Sequence, residues 1–108
     1  MSLRNGVGTI GFLASRPHPD WMTNDTPTKF KPVTSDGVTV ECAKHANQVF
    51  EIRIMDADGD CASWLYFINR MPSPNPMGVD VTVKWNKGTV ELFLNGRLAV
   101  NDVLPPKP

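Results

Sequence analysis

Ten prolines and eight glycines are spread along the 108 residues of this chain, and that spacing leaves no room for long helices. Proline ends a helix and glycine weakens one, so only elements that fit between such residues can form. What lies between them is short runs in which apolar and polar residues alternate, the period of a strand with one buried face. Val79-Asp80-Val81-Thr82-Val83-Lys84-Trp85 is the strongest of these runs, and Val38 to Cys42 and Phe50 to Ile54 alternate in the same way. Gly6 to Ser15, Cys61 to Ile68, Thr89 to Leu94 and Arg97 to Val100 complete the set of predicted strands.

The segments between them carry turn chemistry. Lys44 to Asn47, Asn86-Lys87-Gly88 and Asn95-Gly96 read as turns, and Asp58-Gly59 is a pair that tolerates positive φ in a tight hairpin. Residues 16–32 read as one long proline-rich loop, residues 71–78 as a second loop, and residues 105–108 as a frayed tail. About seven strands joined mainly by hairpins predict a single all-β domain over residues 1–108, an antiparallel sandwich of two sheets. The predicted core comprises Ile10, Phe12, Val38, Val40, Cys42, Phe50, Ile52, Ile54, Leu65, Phe67, Val79, Val81, Val83, Trp85, Val90, Leu92, Leu94, Leu98 and Val100, with Trp21 joining it from the long loop. At ~1.5–3 kcal/mol per buried side chain these suffice for one core.

Eleven basic and eleven acidic residues cancel to zero net charge. Nucleic-acid and anionic-membrane surfaces need a basic excess, so both partner classes are disfavoured, whereas self-association meets no charge barrier. No apolar run reaches the ~20 residues that span a bilayer. Val7 to Ala14 is interrupted by Gly8 and Gly11 and reads as a strand in preference to a signal peptide. An extracellular or virion-associated parent protein is compatible with this.

Two stretches resemble the concanavalin A-like lectin/glucanase superfamily, and within it the laminin G-like domains. The first is Gly8-Thr9-Ile10-Gly11-Phe12 with Arg16-Pro17, Pro19-Asp20-Trp21 and Asn24-Asp25. The second runs from Val81 through Trp85-Asn86-Lys87-Gly88 to Thr89-Val90-Glu91-Leu92-Phe93-Leu94-Asn95-Gly96-Arg97-Leu98. The resemblance implies a jelly-roll sandwich and a lectin-like or receptor-like binding module, in a short copy that has Met77-Gly78-Val79-Asp80 where the family carries His-His-Val. The Glu-x-Asp-x-x-Glu strand motif of the family's glucanases is absent: Glu41, Glu51 and Glu91 are isolated in sequence. The expectation is therefore a non-catalytic module, with a glycan or a protein as its partner. The competing expectation is a structural assembly protein, a virion or cell-surface component in which an exposed aromatic face forms the subunit interface.

For a ligand site the sequence offers Trp64 and Tyr66, on the opposite phase from Leu65 and Phe67, together with Ile68. Arg53 on the neighbouring strand is expected to face the same way. Sugars stack on such rings while a guanidinium bonds their hydroxyls. Two acidic groups are weak candidates for calcium, and no other cofactor is implied. Asp20, Asn24 and Asp25 sit where the family's edge calcium is common. Asp56, Asp58 and Asp60 resemble the start of an EF-hand loop, but Cys61 replaces the required glycine and Phe67 the bidentate glutamate. Cys42 and Cys61 lie beside turns at opposite ends of one strand, ~20 Å apart at 3.3 Å per residue, which predicts free thiols. His18 and His45 read as surface histidines.

Overall fold

The computed structural model describes residues 2–15, 27–46, 49–67 and 78–104. Among them nine strands form: β1 (Val7–Ser15), β2 (Thr28–Lys29), β3 (Val33–Ser35), β4 (Val38–Lys44), β5 (Val49–Asp56), β6 (Cys61–Phe67), β7 (Gly78–Asn86), β8 (Thr89–Leu94) and β9 (Arg97–Val103). They make two antiparallel sheets, one ordered β1-β7-β8-β9 and the other β2-β4-β5-β6 with β3 also on β4. The chain lays down β1, crosses to build the whole second sheet, and returns with β7 against β1. No helix among the described residues is long and apolar enough to cross a membrane.

The alternating runs form strands because each places its apolar phase between the sheets. Val79, Val81, Val83 and Trp85 of β7 face Val38, Val40 and Cys42 of β4 and Phe50, Ile52 and Ile54 of β5 across one continuous core. At Lys87-Gly88 and Asn95-Gly96 both residues have positive φ, the two-residue hairpin geometry that matches strand twist. The short strands β2 and β3 fall where a continuous loop to Pro32 and a plain lead-in to β4 are expected. Both are too short to show a period. Lys44, predicted in a turn, is the last residue of β4, and its inward phase leaves it 1% exposed.

The main departure is β6. Leu65 and Phe67, expected in the core, are 65% and 53% exposed, while Ala62, Trp64 and Tyr66 pack against the core. The cause is the length of the preceding turn. A two-residue turn at Asp58-Gly59 would pair Ala57 with Asp60 and so Ile52 with Leu65. Instead Asp56 bonds Asp60, the loop holds three residues, and Ile52 pairs with Trp64. One extra loop residue moves every side chain of the strand to the other face. Asp56 builds that loop: its Oδ1 accepts the N–H groups of Asp58 (3.0 Å) and Asp60 (3.1 Å). Leu98 is displaced similarly. A register shift at Leu92/Phe93 pairs it with the outward Phe93, leaving it 51% exposed.

Residues 2–6 close one end of the sandwich. Leu3 is fully buried, its N–H bonds Asp56 Oδ2 at 2.9 Å, and its carbonyl accepts the N–H of Gly88. Arg4 pairs with Asp60 at 2.9 Å. The N-terminal turn thereby ties a hairpin of one sheet to a hairpin of the other.

Candidate functional site

Reversal of β6 dissolves the predicted aromatic stripe. Trp64 and Tyr66 face inward at the rim of the core, and the Tyr66 hydroxyl reaches the Ala99 carbonyl of β9 at 3.4 Å. Partial burial raises the Tyr66 pKa by desolvation. Rings with a polar end suit such a rim, where the apolar part is covered and the polar atom finds a partner. Arg53 pairs with Ser63 in the ladder and points outward, on the face opposite to Trp64 and Tyr66. Ile68 and the loop candidates Asp20, Asn24 and Asp25, with Trp21 and His18, lie outside the described residues.

The Asp56–Asp60 turn spends its carboxylates internally. Asp56 accepts three backbone N–H groups and Asp60 binds Arg4, leaving Asp58 exposed at the tip. Among the described residues no three His, Cys, Asp or Glu side chains are placed to hold a metal ion. Cys42 is buried on β4 opposite Ile52, and Cys61 is exposed on β6 opposite Met55; both are free thiols. Desolvation pushes the Cys42 pKa up to about 12.

The outer face of the five-stranded sheet holds the site that sequence reading missed. Antiparallel register places Glu41 of β4 opposite Arg53 of β5, and Ala43 opposite Glu51. Two glutamates that are distant in sequence thus share one face on a diagonal of the ladder. Glu51 accepts from both sides: His45 Nε2 lies 2.9 Å from its Oε1 and Arg53 Nη2 3.5 Å from its Oε2. Those contacts fix the carboxylate between two cationic or donor groups.

Small Ala43 leaves a depression over this network, and the segment around β2 walls it. The resulting groove of about 370 Å³ is lined by Lys29, Phe30, Pro32, Glu41, Cys42, Ala43, His45, Glu51 and Arg53. Phe30 borders it through its backbone, whose N–H bonds the Cys42 carbonyl, while its ring turns inward to the core, 6.0 Å from that of Phe50. A shallower depression continues past His45 and Glu51 to Val49 and the exposed Leu65. The groove therefore joins acceptors (Glu41, Glu51), donors (Lys29, Arg53, His45) and one exposed apolar residue, Pro32. The signal available in sequence was the common outward phase of Glu41, Glu51 and Arg53, which becomes a site only when the register is known. The chain matches no family model, no curated protein and no solved structure, so the groove is defined by its own residues alone.

Proposed function

We propose that this protein is a non-catalytic binding module of lectin-like type, and that the groove over Glu41, His45, Glu51 and Arg53 takes a polyhydroxylated ligand, a glycan. The observation that carries this reading is the Glu51 carboxylate between His45 and Arg53 on the floor of an open groove beside the exposed Pro32. A neutral polyol needs fixed donors and acceptors in alternation and one apolar wall for its C–H face, and a balanced charge set selects neither an anion nor a cation. The late hairpins and the Gly-Thr-Ile-Gly-Phe strand support a concanavalin A-like jelly-roll topology for the sandwich. Glu41 and Glu51 serve as acceptors in this reading. The Glu-x-Asp-x-x-Glu spacing that sets a nucleophile and an acid on either side of a glycosidic bond is absent from the chain.

A glycan-array screen followed by calorimetry on the best binder tests the proposal. Wild type binds at least one oligosaccharide, and Arg53→Ala and Glu51→Gln each weaken binding roughly tenfold or more, about the value of one charge-assisted hydrogen bond. Binding that survives both substitutions unchanged refutes the groove as the site.

A further inference from the structure

The edges of the two sheets are not alike. The β9 edge carries Arg97, Asp102 and a register shift; β2 and β3 are only two and three residues long. Charge, irregularity and shortness are the devices that prevent a sheet edge from pairing with another chain. The β6 edge, Cys61-Ala-Ser-Trp-Leu-Tyr-Phe67, has none of them: seven regular residues with no charge, proline or glycine. Strand β1 is uncharged too, but Gly8 and Gly11 deprive it of side chains with which to pack.

The ladder shows what β6 presents. Asp56 N–H bonds the Asp60 carbonyl, so bonded positions alternate along the hairpin, and Ala62, Trp64 and Tyr66 direct their N–H and C=O groups to β5. The backbone groups of Ser63 and Leu65 therefore point away from β5, where no strand among the described residues pairs with them. Of the exposed apolar side chains Leu65 and Phe67 on this strand, Leu65 is the more exposed, at 65%.

We propose that two copies of this chain associate by pairing β6 with β6 of the second copy, extending the five-stranded sheet across a two-fold axis at Trp64. An antiparallel edge is complementary to itself under such an axis, because each strand offers the same donor and acceptor positions in the opposite direction. This register sets Ser63 against Leu65 and Ala62 against Tyr66. It also sets Trp64 against its mate in a non-hydrogen-bonded pair, where cross-strand aromatic side chains approach most closely. Zero net charge leaves no long-range repulsion between the copies. The proposal is independent of the glycan groove, which lies on the sheet face.

Light scattering from micromolar to submillimolar concentration reads the outcome on the full chain. Wild type shifts from 11.9 kDa toward twice that mass. Ser63→Pro removes only an outward N–H and keeps the ladder to β5, and Leu65→Lys places a charge at the edge; each holds the mass at the monomer value. Leu13→Lys, on the β1 edge, leaves the dimer intact. Circular dichroism checks that the variants fold, and if Ser63→Pro does not, Leu65→Lys decides. A wild type that stays monomeric throughout overturns the proposal, whatever else the edge binds. So does a dimer that persists in both β6 variants, or one that only Leu13→Lys abolishes.

Discussion

Gly8 and Gly11 stand three residues apart in the same strand, and the structure assigns them opposite tolerances. Gly8 pairs with Trp85 in the β1–β7 ladder, and a Cβ built on it would fall 2.3, 2.7 and 2.9 Å from three carbons of the indole ring. That ring is 1% exposed and packed into the centre of the core, so it has no free volume to enter. At Gly11 the nearest atom to an added Cβ is Thr82 Oγ1 at 3.4 Å, an ordinary approach to an adaptable hydroxyl. Gly8→Ala thus forces a core rearrangement that costs about 1–3 kcal/mol or more. Gly11→Ala, relieved of glycine's backbone entropy, should change stability by no more than about 0.5–1 kcal/mol, in the stabilising direction. Because about 1 kcal/mol shifts the melting temperature of a domain this size by roughly 4–8 °C, thermal unfolding followed by circular dichroism separates the two variants clearly. A double-mutant cycle of Gly8→Ala with Trp85→Leu isolates the contact, since the smaller side chain opens the space and recovers part of the loss. A Gly8→Ala melting temperature within about 2 °C of wild type would refute the reasoning, as would a loss that Trp85→Leu does not couple to.

Four further outcomes follow from the same structure. Asp56→Ala removes the acceptor of three backbone N–H groups and should cost roughly 2–3 kcal/mol in urea unfolding, whereas Asp56→Asn, which keeps one acceptor oxygen for the loop, should cost less; equal losses would contradict the division of labour between the two oxygens. At low micromolar concentration Trp64→Ser should destabilise by about 2 kcal/mol and Leu65→Ser by less than about 0.5 kcal/mol, and the reverse order would put β6 back on the other phase. A thiol reagent at mildly alkaline pH should label Cys61 quickly and Cys42 only on unfolding. Because the folded Cys42 pKa, about 12, lies above the ordinary 9.0, this residue's contribution is complete below pH 9.0 and is lost as pH rises from there to about 12. Stability that is flat across that window in wild type and in Cys42→Ala alike would contradict the burial of this thiol.

Much of the architecture was legible because the signals were local. The alternation in Val79–Trp85 and the positive-φ pairs at Lys87-Gly88 and Asn95-Gly96 required no knowledge of partners. Strand β6 was not legible because both of its phases are apolar, so its inward face depends on whether the preceding loop has two residues or three. That count is set by the Asp56 carboxylate, a side chain whose hold on the loop N–H groups has no signature in the sequence. The groove was hidden for a related reason. Glu41, Glu51 and Arg53 are each unremarkable outward residues, and only the register of β4 on β5 makes them neighbours. Trp64 and Tyr66 attracted attention as binding aromatics, yet their amphipathic rings serve to close the edge of the core.

The most direct test of the groove is an amide chemical-shift map recorded while titrating the oligosaccharide that the array identifies. Perturbations confined to the groove residues of β4 and β5, from Glu41 to His45 and from Glu51 to Arg53, with Lys29 and Phe30 on the wall, are the predicted result. Shifts centred instead on β8 and β9, or an absence of any glycan that perturbs the spectrum, would contradict it.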